Sequence, residues 1–369
     1  MKIRFISTIK INPGDNFIKF GIENLIKEIN PNIVSDTLNK HKPYLNLDKF
    51  NNDSELKTNW RISKYYFKFV NFMTHSFKKE NLLYIHCGMP FFYNFNGFIF
   101  KITTFNSLWY KVFYTKKFMK SDNRLLLLSI GTTVYSENEY SKILKNKNYM
   151  QKVKEIGYKS DLIVTRDVKT KEIFNTANIE STYLPCSSLF TFSNKEINFD
   201  DKKYVLINVM ENGSNGYKNI PKNEKWDSKI LNLINEINKD HEIKFVSHSK
   251  SDYQFSKKIF PEYENFYFED WKQYLKIYKM AYAGIFNRIH AAMINTSALN
   301  PTICINVDSR IEMLSRLSIP TFNSDEFQVT DLMSQFNSSI ENISDFRRDI
   351  EKLKTFEKNN YLSKLKNVI

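Results

Sequence analysis

A chain of 369 residues exceeds one ordinary hydrophobic core and suits two domains of roughly 150–200 residues each. With 42% apolar residues, nine glycines and nine prolines it is neither collagen-like nor low-complexity, and no repeat of about 20–50 residues recurs. The formal net charge of +14 fits compositional drift in a chain rich in Lys, Asn and Ile, or an anionic partner: a phosphate-bearing substrate, an acidic membrane surface or nucleic acid.

The three cysteines, Cys87, Cys186 and Cys304, are far apart and form no CxxC pair. That argues against a disulfide framework and against a structural zinc site, so no metal is expected. The opening MKIRFISTIK has a strand pattern without the apolar core of a signal peptide, and no run of 18 apolar residues occurs. The expected location is the cytoplasm, with the inner face of the cytoplasmic membrane as an added docking place.

In chain order, Ile3–Ile9 reads as a buried strand, followed by the loop KINPGDN and a helix from Phe17 to Glu28. A helix over Arg61–Phe77 comes next, inside a window of unusual composition. From Lys57 to Lys120 there are eleven Lys/Arg against one acid, Glu80, with twenty aromatic residues. Such a mixture suits anionic lipid head groups or single-stranded nucleic acid, and equally an aromatic core under a lysine surface. No signature of a sequence-specific nucleic-acid module accompanies it, so no specific nucleic-acid partner is expected.

Short apolar strands come next at Leu82–His86, Leu125–Ile130, Leu162–Thr165 and Thr182–Leu184. Thr191–Lys203 reads as a linker. A second alternating block holds strands at Tyr204–Val209, Ile243–Val246, Ala283–Phe286 and Thr302–Val307, with helices over Lys229–Asn238, Trp271–Ala281 and Ala291–Ala298. Continuous apolar strands alternating with helices indicate parallel sheets covered on both faces. The expected class is therefore α/β, with two Rossmann-like domains facing across a cleft in a GT-B-like arrangement. The N-terminal domain is expected over residues 1–195 and the C-terminal one over 204–340, with a helix in 341–369 packing back.

Ligands of such sheets bind at the carboxyl ends of strands, so the strand-to-helix loops hold the candidates. The foremost is AGIFNRIHAAMI. If its joint is extended, Arg288 and His290 point the same way, above a helix N-terminus suited to phosphate or carboxylate. A surface Arg beside a half-buried His is the plain alternative. Arg310 offers a second anion clamp, with Asp308 and Ser309 beside it; capping alone would explain Asp308. Arg166, in VTRD, is a third cation, with Asp167 orienting it or capping the next helix. Asp15 and Asn16 come after Pro13-Gly14, where capping competes with substrate contact. His248 comes after a strand in the loop SHSKSDY and is expected to face the cleft, although a solvated loop His is as good a reading. His86 ends a strand and suits a buried, satisfied ring. Cys87 and Cys186 show no base partner, and small buried thiols are the commoner case.

The run NRIHAAMINTSALNPTICINVDSRIEML resembles the C-terminal signature of polysaccharide pyruvyl transferases. NPGDNFIKFGIENLI, LLYIHCGMPF, LLLLSIGTTV, VTRDVKT and LPCSSLF resemble further segments of that family in the expected order, so the likeness spans residues 1–330. It departs from the family at Asn287, where a glycine precedes the Arg, at His86-Cys87-Gly88, which replaces a glycine pair or triplet, and at Ser187, which replaces a proline. The resemblance implies transfer of a pyruvyl group from phosphoenolpyruvate, as co-substrate without other cofactor, onto a sugar of a surface polysaccharide or capsule or its lipid-linked precursor. It also implies that Arg166, Arg288 and Arg310 hold the donor's phosphate and carboxylate, and that His290 is the general acid/base or a phosphate ligand. A GT-B-type glycosyltransferase using a nucleotide sugar is the alternative, as is a glycan-binding relative without catalysis.

Overall fold

The computed structural model describes residues 2–7, 13–39, 82–88, 90–93, 114, 116–133, 137–213, 225–306 and 309–369. The helix expected over 61–77 and most of the basic, aromatic window at 57–120 lie outside the described residues, as does Asp308. By compactness the chain divides into two units. One comprises residues 1–10, 26–184 and 364–369, the other residues 11–25 and 185–363.

The first unit is built on a parallel sheet of strands β1 (Lys2–Ser7), β2 (Val34–Asn39), β3 (Leu83–Cys87), β4 (Pro90–Tyr93), β5 (Arg124–Thr133), β6 (Ser160–Thr165) and β7 (Thr182–Tyr183). Their order is β2-β1-β3-β5-β6-β7, with β4 pairing the far end of β5. Every residue of β3 is buried, as a strand covered on both faces requires. Among its described residues this unit holds the helices α2 (Lys116–Met119), α3 (Glu137–Leu144), α4 (Lys147–Lys159) and α5 (Val168–Thr176). Tyr149, Val153 and Ile156 of α4 and Ile173 and Phe174 of α5 join Leu125, Leu127 and Ile163 in one core. Strand β5 carries Ser129 in the left-handed region (φ 52°), where its register against β6 shifts between Leu127 and Ile130. Such a bulge bends a strand and re-aims the residues beyond it, here Gly131.

The second unit holds strands β8 (Tyr204–Asn208), β9 (Ile243–Val246), β10 (Asn265–Phe266), β11 (Ala281–Phe286), β12 (Thr302–Asn306) and β13 (Thr321–Asn323). They pair in parallel in the order β10-β9-β8-β11-β12-β13. Counted within this unit, that is the 3-2-1-4-5-6 order of a doubly wound nucleotide-binding sheet. Its direction reverses between β8 and β11. The helices are α6 (Trp226–Ile237), α7 (Lys250–Ile259), α8 (Trp271–Met280), α9 (Ile289–Ser297), α10 (Glu312–Ser315), α11 (Val329–Glu341) and α12 (Ile343–Lys366). The core gathers Trp226, Ile230, Leu233 and Ile234 of α6 with Val205, Ile207, Phe245, Ile285 and Ile303 of the strands.

Helix α1 (Pro13–Ile29) comes after β1 in the chain, yet its first thirteen residues belong to the second unit. Gly21 explains how it packs there. A Cβ on Gly21 would stand 1.8 Å from the carbonyl oxygen of Ser187, so only glycine lets the helix lie against the turn Ser187–Phe190. The contact is pinned by hydrogen bonds. Ser187 Oγ donates to Ile18 O at 2.9 Å, and Asn24 Nδ2 donates to the carbonyls of Phe190 and Thr191 at 3.0 and 3.1 Å. Ser187, a departure from the resembled pattern, is thus a buried residue that ties α1 down.

Candidate functional site

The carboxyl ends of β8, β11 and β12 each finish on or just before an asparagine: YVLIN, AGIFN and TICIN. Asn208, Asn287 and Asn306 are buried and bridge the strand ends. Asn208 Nδ2 donates to Val246 O at 2.8 Å, and its Oδ1 accepts from the Arg288 backbone N–H at 3.0 Å. Asn287 accepts from Met210 N at 3.0 Å and donates to Ile305 O at 2.8 Å, while Asn306 donates to Asn287 O at 2.7 Å. These bonds close backbone groups left open where the strands separate, and they fix the switch point. Asn287, which stands where the resembled pattern has glycine, is therefore a strut between three strand ends. The repeated apolar-run-then-Asn pattern was visible in the sequence; its meaning was not.

Arg288 is the N-cap of α9, extended at φ −88° and ψ 120°, and His290 lies in the first turn of that helix. The joint is therefore not extended through His290, and the two side chains meet different partners. The Arg288 guanidinium meets Asp252 with two parallel bonds. Nε donates to Oδ2, and Nη2 donates to Oδ1 at 2.8 Å; Nη2 also donates to Ser249 Oγ at 3.0 Å. Asp252 is 3% exposed and the Arg288 side chain 20%, so the cation is part-buried beside its partner. Sequence reading missed Asp252 and Ser249; the S-x-x-D of Ser249–Asp252 was the available signal.

The His290 ring rests on the start of α1. A Cβ on Gly14 would lie 2.5 Å from His290 Nδ1 and 2.8 Å from Cγ. Gly14 is thus a glycine because the imidazole occupies the place of its side chain. Nε2 is the ring nitrogen on the far side of that contact. Asp15 and Asn16, both half-buried, sit in the same first turn of α1, where a carboxylate suits the positive helix end. The starts of α1, α7 and α9 therefore come together around Arg288 and His290, through Gly14–His290 and through Ser249 and Asp252 with Arg288.

His248 is buried rather than open at this face. Its Nε2 bonds the Tyr278 hydroxyl at 2.7 Å, and Phe17 and Tyr274 pack on the ring at centroid distances of 5.9 and 5.2 Å. Burial, with the Arg288 charge nearby, pushes its pKa down to about 3, so the ring is neutral. Arg310 is half-buried in the turn Ser309–Ile311, and the backbone of Ser309 belongs to that turn.

Arg166 and Asp167 stand in the first unit, at the end of β6. Asp167 caps α5: its Oδ1 accepts from Thr170 N at 2.7 Å and its Oδ2 from Thr132 N at 2.9 Å. Burial raises its pKa, against the pull of those bonds and of Arg166. Arg166 lies on Gly131, where a Cβ would come within 2.4 Å of Nε. His86 is buried, bonds the Tyr114 hydroxyl and is pushed down to about 3 by burial. The three cysteines are buried thiols. No cluster of potential metal ligands occurs among the described residues.

Two parallel Rossmann-like sheets, the second with its anion-type loops at the switch point, define a GT-B-like α/β protein. A profile of the polysaccharide pyruvyl transferase family matches residues 12–309, and the chain belongs to that family. No curated protein matches it. Among solved structures, it is similar to UDP-N-acetylglucosamine 2-epimerase from Neisseria meningitidis bound to UDP-GlcNAc, with a TM-score of 0.55 and 11% identity over 100% of both chains. It is similar to the UDP-GlcNAc 2-epimerase of Methanocaldococcus jannaschii at 0.55 and 10%, covering 91% of this chain and 92% of that one. The S. aureus MnaA–UDP structure aligns at 0.53 and 13%, covering 100% and 97%.

These likenesses correct the expected donor. The shared fold is that of proteins solved with UDP-GlcNAc or UDP, and the second sheet has the 3-2-1-4-5-6 order of a nucleotide-binding sheet. Phosphoenolpyruvate as co-substrate and partner, and pyruvyl transfer onto a surface glycan, are accordingly withdrawn.

Proposed function

We propose that this chain is a nucleotide-sugar enzyme of the GT-B type, which holds the donor's diphosphate at Arg288 and His290 and transfers its glycosyl group to a sugar acceptor. The observation that carries this is the meeting of three helix starts, those of α1, α7 and α9, around Arg288 and His290 at the β8/β11 switch point. Helix N-termini, with their positive dipole ends, suit a diphosphate. In glycosyl transfer the bond from the anomeric carbon to the diphosphate breaks, and negative charge gathers on the departing β-phosphate oxygen. Fixed donors aimed at that oxygen lower the barrier without reorganising. His290, in the first turn of α9, and Arg288, at its cap, are the side chains placed to do so. The acceptor hydroxyl oxygen bonds the anomeric carbon as that bond breaks, and its proton goes to the departing diphosphate or on to solvent.

The solved UDP- and UDP-GlcNAc-bound neighbours support a nucleotide donor, and family membership supports an acceptor of polysaccharide type. The cytoplasm remains the proposed location, and cell fractionation decides it. Among the described residues no helix is long and apolar enough to cross a membrane.

The test is thermal melting and calorimetry with UDP and a panel of nucleotide sugars. A ligand at ~100 times its Kd stabilises by about 2.7 kcal/mol. We expect such a shift, with Arg288→Ala and His290→Ala each weakening UDP binding roughly 10–100-fold, as loss of a charge-assisted bond does. A shift with phosphoenolpyruvate alone, or with no nucleotide, overturns the reading. Conversion of the donor sugar without acceptor would mark epimerisation in place of transfer.

A further inference from the structure

We infer that Asp252 is a positioning residue for Arg288, holding the guanidinium in one orientation towards the diphosphate site; the inference rests on the function proposed above. In a capping box, the third helical residue turns its carboxylate back to the N-cap backbone N–H. Helix α7 has the residues for this, Ser249 as N-cap and Asp252 at the third position, and Ser249 Oγ accepts from Asp252 N at 3.2 Å. The reciprocal half is diverted. Both carboxylate oxygens of Asp252 accept from Arg288 instead, one from Nε and one from Nη2.

The consequence is a guanidinium fixed along one edge. Nε and Nη2 are committed to Asp252, and Nη2 also to Ser249 Oγ. Nη1 is the nitrogen this arrangement leaves for a ligand. The backbone of Arg288 is fixed as well, through its N–H to Asn208. An arginine carries several rotatable bonds and loses rotamer entropy when ordered. Here that ordering is complete before any ligand arrives. The carboxylate that does it is 3% exposed, so the pair persists where solvent screens little. Asp252 also offsets the full positive charge. Arg288 therefore contributes direction more than ground-state attraction, and what it stabilises best is charge that develops during transfer.

The test pairs Asp252→Asn and Asp252→Glu with two readouts in the full-length protein. The first is the Arg288 Nε–H signal by nitrogen-15 NMR without ligand, assigned by its absence in Arg288→Lys. We expect a slowly exchanging signal in the unmodified chain, lost or broadened in Asp252→Asn and recovered in Asp252→Glu. The second is kinetics with the nucleotide-sugar donor, split into kcat and KM. We expect Asp252→Asn to lower kcat at least 10-fold while the KM for the donor changes less than 3-fold, with partial recovery in Asp252→Glu. A purely structural role would lower activity only in step with the folded fraction. An unchanged Arg288 signal in folded Asp252→Asn overturns the inference whatever the ligand proves to be. Failure of the unmodified chain to bind UDP overturns the proposed function, while the NMR readout still decides the Asp252–Arg288 coupling.

Discussion

Gly14 and His290 are 276 positions apart, yet each accounts for the other. The imidazole stands where a Cβ on Gly14 would be, 2.5 Å away at Nδ1. A Gly14→Ala chain must therefore displace His290, and displacement of about 1 Å at a reacting centre costs on the order of 100-fold in rate. We expect Gly14→Ala to lose about that much kcat while its melting temperature stays within a few degrees. A large loss of stability with normal specific activity would contradict this. Other residue assignments were legible locally: Asp167 does cap a helix, and His86 is a buried, bonded ring. Arg288 was legible as a cation at a strand end. Its partner was not, because Asp252 lies 36 positions away on another helix and only folding unites them.

At the scale of elements, α9 is a short helix held at both ends. Its start carries Arg288 and His290. Its last turn is gripped by Lys354 of α12, whose Nζ donates to Ser297 O at 2.8 Å and to Phe192 O at 2.7 Å. Lys202 donates to Ala298 O at 3.2 Å and to Asn300 Oδ1 at 2.6 Å. Cations at a helix C-terminus complement its dipole, so both lysines, when protonated, suit the carbonyl end of α9. Burial pushes the Lys354 pKa down to about 7 and the Lys202 pKa down to about 7 as well. Helix α1 depends on Gly21 in the same element-level way. In Gly21→Ala the new Cβ meets the Ser187 carbonyl, a backbone atom unable to swing aside. Overpacking of this kind costs about 3 kcal/mol, which corresponds to a fall of roughly 6–12 °C in melting temperature for a unit of this size. Calorimetry checks this, and an unchanged midpoint would show that α1 does not need the close approach. The strands β8 and β12 were readable because buried parallel strands are near-continuous apolar runs. The short edge strands β10 and β13 were missed, since two or three residues carry no period.

For the whole molecule, acid is the clearest lever. His86 in the first unit and His248 in the second are both buried and neutral, with pKa values lowered from 6.5 to about 3. The unfolded chain binds protons to these rings as pH falls below about 6.5, while the folded chain does not until about 3. Stability from both is therefore full above pH 6.5 and declines between 6.5 and 3. We expect the melting temperature to fall across that window, with a shallower slope in His248→Gln, measured by circular dichroism from pH 7.5 to 4. An identical slope in the variant would mean that His248 is not neutral in the fold. At this scale the sequence alone determined the α/β class and its two Rossmann-like sheets, because apolar strand runs and helical spacing are local and survive without neighbours. Tertiary structure alone decided three things: the joining of α1's first thirteen residues to the second unit, the pairing of Arg288 with Asp252, and the seating of His290 on Gly14. Each depends on a contact between segments distant in the chain, and no local pattern encodes which distant segment will arrive.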